Sequence, residues 1–177
     1  GRLERWKPWR NSASAALLCA LLAVVIHVNA LDNQFAYDDV HILPEHKALH
    51  DLRNLPGLLA KPYWPGEFAK ELGLWRPGTT LTFGLEWALF QNHGSPYHVL
   101  NVVAHAGATA LVVALIAALA STPVALVSGL IFAVHPVHVE SVANLVGIAE
   151  VQAAVFFRSE EHTSELQSHL NLVCRLL

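Results

Sequence analysis

The sequence predicts an all-α protein: a polytopic membrane helix bundle with a large external loop after its first span. Three observations carry that expectation. Hydrophobic residues make up 54% of the 177-residue chain and charged residues only 14%, whereas a soluble domain carries about 25% charged residues. From Pro77 to Phe157 there is neither Lys nor Arg, and the only acids are Glu86, Glu140 and Glu150. Several apolar runs reach or approach the roughly 20 residues that a spanning helix needs, which makes the lipid bilayer the first expected partner. The formal net charge of −3 gives no electrostatic reason to expect nucleic acid. Two cysteines, Cys19 and Cys174, imply no disulfide framework, and Cys19 lies inside the first apolar run, where a thiol acts as a small hydrophobe.

Taken in order, residues 1–12, GRLERWKPWRNS, set Arg2, Arg5, Lys7 and Arg10 beside Trp6 and Trp9. Basic residues collect at the cytoplasmic ends of membrane helices and tryptophans at the interface, so this leader is expected in the cytoplasm. Residues 13–31, ASAALLCALLAVVIHVNAL, form the first span. The competing reading is a cleaved signal peptide, with Val28-Asn29-Ala30 as its site; a 19-residue run favours an uncleaved span. Residues 32–96 form the external loop, in which ALHDLRNLPGLLA is expected as a short surface helix ending near Pro56-Gly57. Residues 79–91, TTLTFGLEWALFQ, are apolar but rise only about 20 Å as a helix, short of a hydrocarbon core of roughly 30 Å. They are read as an interfacial or re-entrant helix, which fixes the side of every later loop. Residues 97–120 are the second span, STP at 121–123 a tight turn, 124–139 a short third span ending in AVHPVHVE, and 142–157 the start of a fourth. This alternation puts Asp38 and Asp39 on the same outer face as His135, His138 and Glu140.

The polar residues of these elements suggest chemistry. Adjacent carboxylates at the mouth of a span can act as a general base or hold a hard cation such as Mg²⁺; a solvated acidic loop is the plain alternative. Neighbours in sequence point different ways, so at most one of Asp38 and Asp39 faces a substrate. Arg76, the last cation before the charge-poor stretch, can hold a phosphate through paired hydrogen bonds or simply reach the interface. His98, Asn101 and His105 stand at i, i+3 and i+7, on one face of the second span. There they either hydrogen-bond between helices or line a cavity. HPVHVE lacks the H-E-x-x-H zinc spacing, and its proline opposes a regular helical metal site, so no metal ligand set is assigned.

Tyr37-Asp38-Asp39, Arg76-Pro77, His98/Asn101/His105, FAVHPVHVE and NLVGIAE together resemble, in order and spacing, the N-terminal membrane part of the transmembrane and tetratricopeptide-repeat O-mannosyltransferase family, bacterial relatives included. The resemblance covers about residues 13–157. It implies a GT-C-type glycosyltransferase bundle in a membrane, for a bacterial relative the inner one. Such an enzyme passes a sugar, mannose, from a polyprenyl-phosphate donor to a Ser or Thr hydroxyl of an exported protein acceptor. It further implies Asp38 or Asp39 as catalytic base and Arg76 as the phosphate contact. His98, Asn101, His105, His135, His138, Glu140 and Glu150 become substrate-binding candidates, with a divalent cation as a possible cofactor. Two positions depart from the family pattern: Gly78 follows Arg76-Pro77 where Leu is expected, and Ile148 stands where Gly-Arg-Ala-Glu has arginine. The readings from other classes are a transporter or ion-binding membrane protein using the His and Asp residues, and a structural membrane subunit.

The final segment breaks the pattern. Arg158 to Ser168, RSEEHTSELQS, matches the forward translation of a common sequencing adapter, so residues 158–177 are read as non-native. The chain is then a four-span fragment, expected to be inactive, of a longer protein with 34-residue tetratricopeptide repeats. Long-read sequencing of the gene across codon 157 is expected to run on into further apolar spans and then such repeats. A frame that ends naturally after Leu177 would overturn this reading of the tail.

Overall fold

The computed structural model describes residues 8–66 and 73–153. The leader residues Arg2, Arg5, Trp6 and Lys7, residues 154–157 of the expected fourth span, and the tail from Arg158 lie outside the described residues. Among the described residues the fold is all-α, with no strand. Helix α1 (Pro8–His27) runs into a 3-10 turn at Val28–Asp32, and α2 (Asp38–Ile42) follows. Two more 3-10 turns, Lys47–His50 and Leu52–Asn54, lead into α3 (Leu55–Leu58). Then come α4 (Pro77–Phe90), α5 (Gly94–Leu119), α6 (Thr122–Val134) and α7 (Val137–Ala143), a 3-10 turn at Leu145–Gly147, and helical residues 148–153.

Two stretches are long and apolar enough to cross a membrane: Asn11–Asp32, of 22 residues, and Gly94–Leu119, of 26. Helices α6 and α7 together pass the same test as one broken span, bent by 60°. The break has a covalent cause. Pro136 disfavours helical backbone at the residue before it, and His135 is extended there at φ −66°, ψ 128°. Helix α4, at 14 residues, is too short to cross.

Small residues hold the spans together. Ala15, Cys19 and Ala23 recur every fourth position on α1, and Ala125, Gly129 and Ala133 do so on α6; both rows are buried against Val113 and Ala106 of α5. Lipid tails are as apolar as leucine, so membrane helices associate through close packing, which small side chains allow. The large apolar residues point the other way. Leu17, Leu18, Leu21 and Val25 of α1 and Val124, Val127 and Ile131 of α6 are exposed, as a lipid-facing surface requires. Helix α1 runs antiparallel to α5: Ala16 faces Ala117 across a groove near one end, while His27 meets His105 toward the other.

At that second end the loop forms a compact cap. Ile42, Leu43, Leu49, Leu55 and Tyr63 pack with Phe83 of α4, Tyr97 of α5, and Leu145, Val146 and Ile148 beyond α7. One face of α4 is therefore committed to the cap. Pro56 does not end the expected surface helix; it lies in the first turn of α3, where its missing N–H is no loss. At residue 142, where the sequence suggested a fourth span starting, the chain is still in α7; a turn at Asn144 precedes the helical residues 148–153.

Gly129 is the tightest point of the three-helix contact: a Cβ there would collide with the Val113 side chain and lie 2.9 Å from Cys19 Sγ. Gly129→Val is expected to cost about 1–3 kcal/mol through overpacking, read by SDS-induced unfolding of the purified chain in detergent. Gly107→Ala, with nothing within 4 Å of its new Cβ, is the control and should leave stability near wild type.

Candidate functional site

The site is built around the start of α2. Tyr37 adopts φ +50°, a region L side chains rarely take, and the reversal there sends two neighbouring carboxylates in different directions. Asp38 is half-buried, whereas Asp39 is 1% exposed. Asp39 Oδ1 accepts a hydrogen bond from the Val146 N–H at 3.1 Å, and Oδ2 accepts one from the Ala36 N–H at 3.5 Å. Burial pushes the Asp39 carboxyl up from its ordinary value of 3.8 to about 6, while the backbone N–H groups pull against that rise.

A cleft of about 690 Å³ opens beside it, lined by Ala36, Tyr37, Asp38 and Asp39 on one wall and Val139, Glu140, Ala143 and Asn144 on the other. That volume is in the range of small-molecule sites. The far wall depends on the turn after α7. The Asn144 side-chain oxygen accepts from the Val146 N–H at 3.2 Å, sharing that donor with Asp39. Asn101 of α5, 2% exposed, donates its side-chain amide to the carbonyls of Asn144 at 3.1 Å and Leu145 at 3.4 Å.

The cation stands nearby on a different element. Arg76 precedes α4, and its Nη2 donates to Glu150 Oε1 at 3.1 Å. Its guanidinium carbon lies 5.4 Å from the centre of the Tyr63 ring. Burial raises the Tyr63 phenol, with Arg76 opposing and the charges of Asp38 and Glu150 reinforcing the rise. Gln152 ties the start of α4 to the same segment, accepting from Thr79 Oγ1 at 3.1 Å and donating to Thr82 Oγ1 at 2.6 Å.

The remaining sequence-derived residues divide. Glu140 lines the cleft, but His135 and His138 are not among its lining residues. The exposed His135 accepts the Val137 N–H through Nδ1 at 3.2 Å. The His138 ring turns instead toward Phe132 and His105, at 4.2 and 5.1 Å between ring centres. The cause is Pro136, which starts a new helix and so separates the faces of the HPVHVE residues. His98, Asn101 and His105 share one buried face of α5, and of the two roles open to Asn101, hydrogen bonding inside the protein is the one its amide performs. His27, absent from the sequence-derived site residues, is 5% exposed and packs edge-on against His105 at 4.9 Å. A signal for it existed, since it is the only ionisable imidazole within the first apolar run. Among the described residues, no three His, Cys, Asp or Glu side chains converge as a metal ligand set.

Chemically, the cleft offers a carboxylate that is largely ionised at neutral pH yet more basic than usual, and hence able to take a proton from a bound hydroxyl. Comparison with known proteins bears on what that hydroxyl belongs to. The chain is 32% identical over 149 residues to the mouse protein O-mannosyl-transferase TMTC3, covering 83% of this chain and 16% of that protein. It is 34% identical over 142 residues to the Drosophila melanogaster protein O-mannosyl-transferase Tmtc1, covering 78% and 16%. To the human protein O-mannosyl-transferase TMTC4 it is 29% identical over 160 residues, covering 81% and 22%. The chain thus spans less than a quarter of the length of these curated relatives. No protein-family model matches it, and no solved structure does.

The raised Asp39 carboxyl has a consequence for stability. Between pH 4 and 6 the folded chain keeps a proton that the unfolded chain has released, so stability falls as pH rises through that window. The loss is roughly 3 kcal/mol in total. Asp39→Asn, neutral throughout, should flatten that part of the profile in chemical unfolding of the detergent-solubilised chain. Parallel wild-type and variant profiles would refute it.

Proposed function

Since the chain belongs to the family of transmembrane and tetratricopeptide-repeat (TMTC) protein O-mannosyl-transferases, we propose that it forms the membrane-embedded acceptor and donor site of a glycosyltransferase. A sugar, mannose by the names of its relatives, passes from a polyprenyl-phosphate donor to a Ser or Thr hydroxyl of a protein. The observation that carries the reading is Asp39: a buried carboxylate, held by a backbone N–H, at the wall of a cleft over the end of the spans.

Asp39 takes the acceptor proton as the hydroxyl oxygen bonds to the anomeric carbon. The bond from that carbon to the phosphate oxygen breaks, and the lipid phosphate leaves with the electron pair. Its growing charge needs a nearby cation. Arg76 is suited to this, because one edge can stay with Glu150 while other N–H groups of the five-donor guanidinium meet the phosphate. A lipid-borne donor keeps its phosphate at the bilayer surface, which is where a cleft at the end of the spans would meet it. The basic leader supports an N-terminus in the cytoplasm and, with it, a cleft on the external face.

The test is transfer of labelled mannose from polyprenyl-phosphate mannose to an acceptor peptide, with the chain in its full protein context. Asp39→Asn is expected to lower kcat by about 10²-fold or more. In the wild type the rate should fall as pH drops through about 6, where Asp39 becomes protonated. Normal transfer by Asp39→Asn would remove the base assignment.

A further inference from the structure

We infer that Asn101, inside the second span, is a positioning residue that fixes the Val146 N–H against Asp39 by pinning the turn between them. The catalytic meaning of this link rests on the reading of Asp39 as base; the link itself rests on geometry. The last carbonyls of a helix lack partners within it. The Asn101 amide reaches one of these, the Val142 carbonyl at 3.5 Å, and two more in the turn just beyond α7, those of Asn144 at 3.1 Å and Leu145 at 3.4 Å. Asn101 is 2% exposed, so water cannot replace it cheaply. One residue beyond these carbonyls, the Val146 N–H points at Asp39 Oδ1 from 3.1 Å.

A second constraint acts on the same turn. Gly147 folds back on α7 so closely that a Cβ there would lie 2.6 Å from the Ser141 carbonyl carbon. Only a residue without a side chain lets the turn close in this way. Leu145 and Val146 are themselves buried in the cap core. The turn is therefore held by a polar clamp from α5, by a steric fit to α7 and by its own apolar side chains. Asn101 does not line the cleft, so its effect on the site passes through Val146. The charged and titratable groups that line the cleft with Asp39 are Tyr37 and Asp38 beside it and Glu140 across from it, and the hydrogen bonds that Asp39 accepts come from the backbone N–H groups of Val146 and Ala36.

The experiment uses the full chain in detergent micelles, labelled with [4-¹³C]Asp. The Asp39 carboxyl signal is assigned by its loss in Asp39→Asn and followed from pH 3 to 9. In the wild type, the Val146 amide proton shift should titrate together with Asp39. Asn101→Leu removes the clamp and Gly147→Ala forces the turn open. Each is expected to raise the proton affinity of Asp39 about tenfold, because a hydrogen bond that favours the carboxylate is lost. Thr109→Val is the control: Thr109 is equally buried on α5 but donates only to His105 of its own helix, at 2.8 Å. It should leave the Asp39 titration unchanged.

Circular dichroism checks that each variant retains its helices. A folded Asn101→Leu or Gly147→Ala chain in which Asp39 titrates as in the wild type would overturn the inference, as would a wild-type Val146 amide that ignores Asp39. Should neither variant fold, the wild-type Val146 titration decides alone. The two readings fail separately. Transfer surviving Asp39→Asn removes the base and leaves the link, while an unlinked titration with transfer lost in Asp39→Asn does the reverse.

Discussion

One hydrogen bond, from the Val146 N–H to Asp39 Oδ1, joins the loop after the first span to the turn after α7, 107 residues away in sequence. A buried carboxylate without a donor is expensive, so wherever Asp39 is placed, a backbone N–H has to be delivered to it. That requirement reaches through the molecule. The donor is in place only if the turn at 145–147 is in place. The turn requires Asn101 on α5 and Gly147 against α7. Helix α7 crosses the end of the bundle only because Pro136 breaks the third apolar stretch by 60°. The cap core then closes over the assembly, with Leu145 and Val146 packed beside Ile42 and Leu43 of the loop.

The bilayer explains why this arrangement sits at the end of the spans. Within the hydrocarbon, helices satisfy their own backbone and pack through small side chains, here Ala15, Cys19, Ala23, Ala125, Gly129 and Ala133. Irregular backbone that presents N–H groups to a ligand or a carboxylate is tolerated only in a polar setting. The 3-10 turns, the reversal at Tyr37 and the break at His135–Pro136 all gather beyond the packed row of alanines. Rigid spans below and irregular backbone above give a site with freedom of shape on a firm support.

Much of this was legible in the sequence because it is periodic or local. The stretch without Lys or Arg marked membrane, and the i, i+3, i+7 spacing put His98, Asn101 and His105 on one face, which proves buried. Alternation also forecast that Asp38 and Asp39 would diverge. What composition could not say was which of the two turns inward, because the answer depends on an N–H from a distant turn. HPVHVE read as one polar unit, but a proline that starts a helix divides it, so Glu140 joins the cleft while His138 packs on Phe132. Asn144 and Gly147 carried a weak local signal, Asn before a turn and Gly within it. Their importance lies in Val146, whose role is played by its backbone and is invisible in side-chain chemistry.

The separation of Asp39 from Arg76 follows from what each would have to do. An arginine against a carboxylate lowers its pKa, commonly by one to three units, and a base so depressed holds a proton poorly. Here the groups that act on Asp39 are backbone N–H groups and Asp38, none of them cationic, and it settles at about 6. Arg76 is held instead by Glu150, with the Tyr63 ring beside it. Burial raises the proton affinity of Asp39 and N–H donors keep it ionisable, and in the proposed reaction Arg76 would meet the phosphate without quenching that carboxylate. Two opposite charges needed in one reaction are thus most useful when the fold prevents them from neutralising each other.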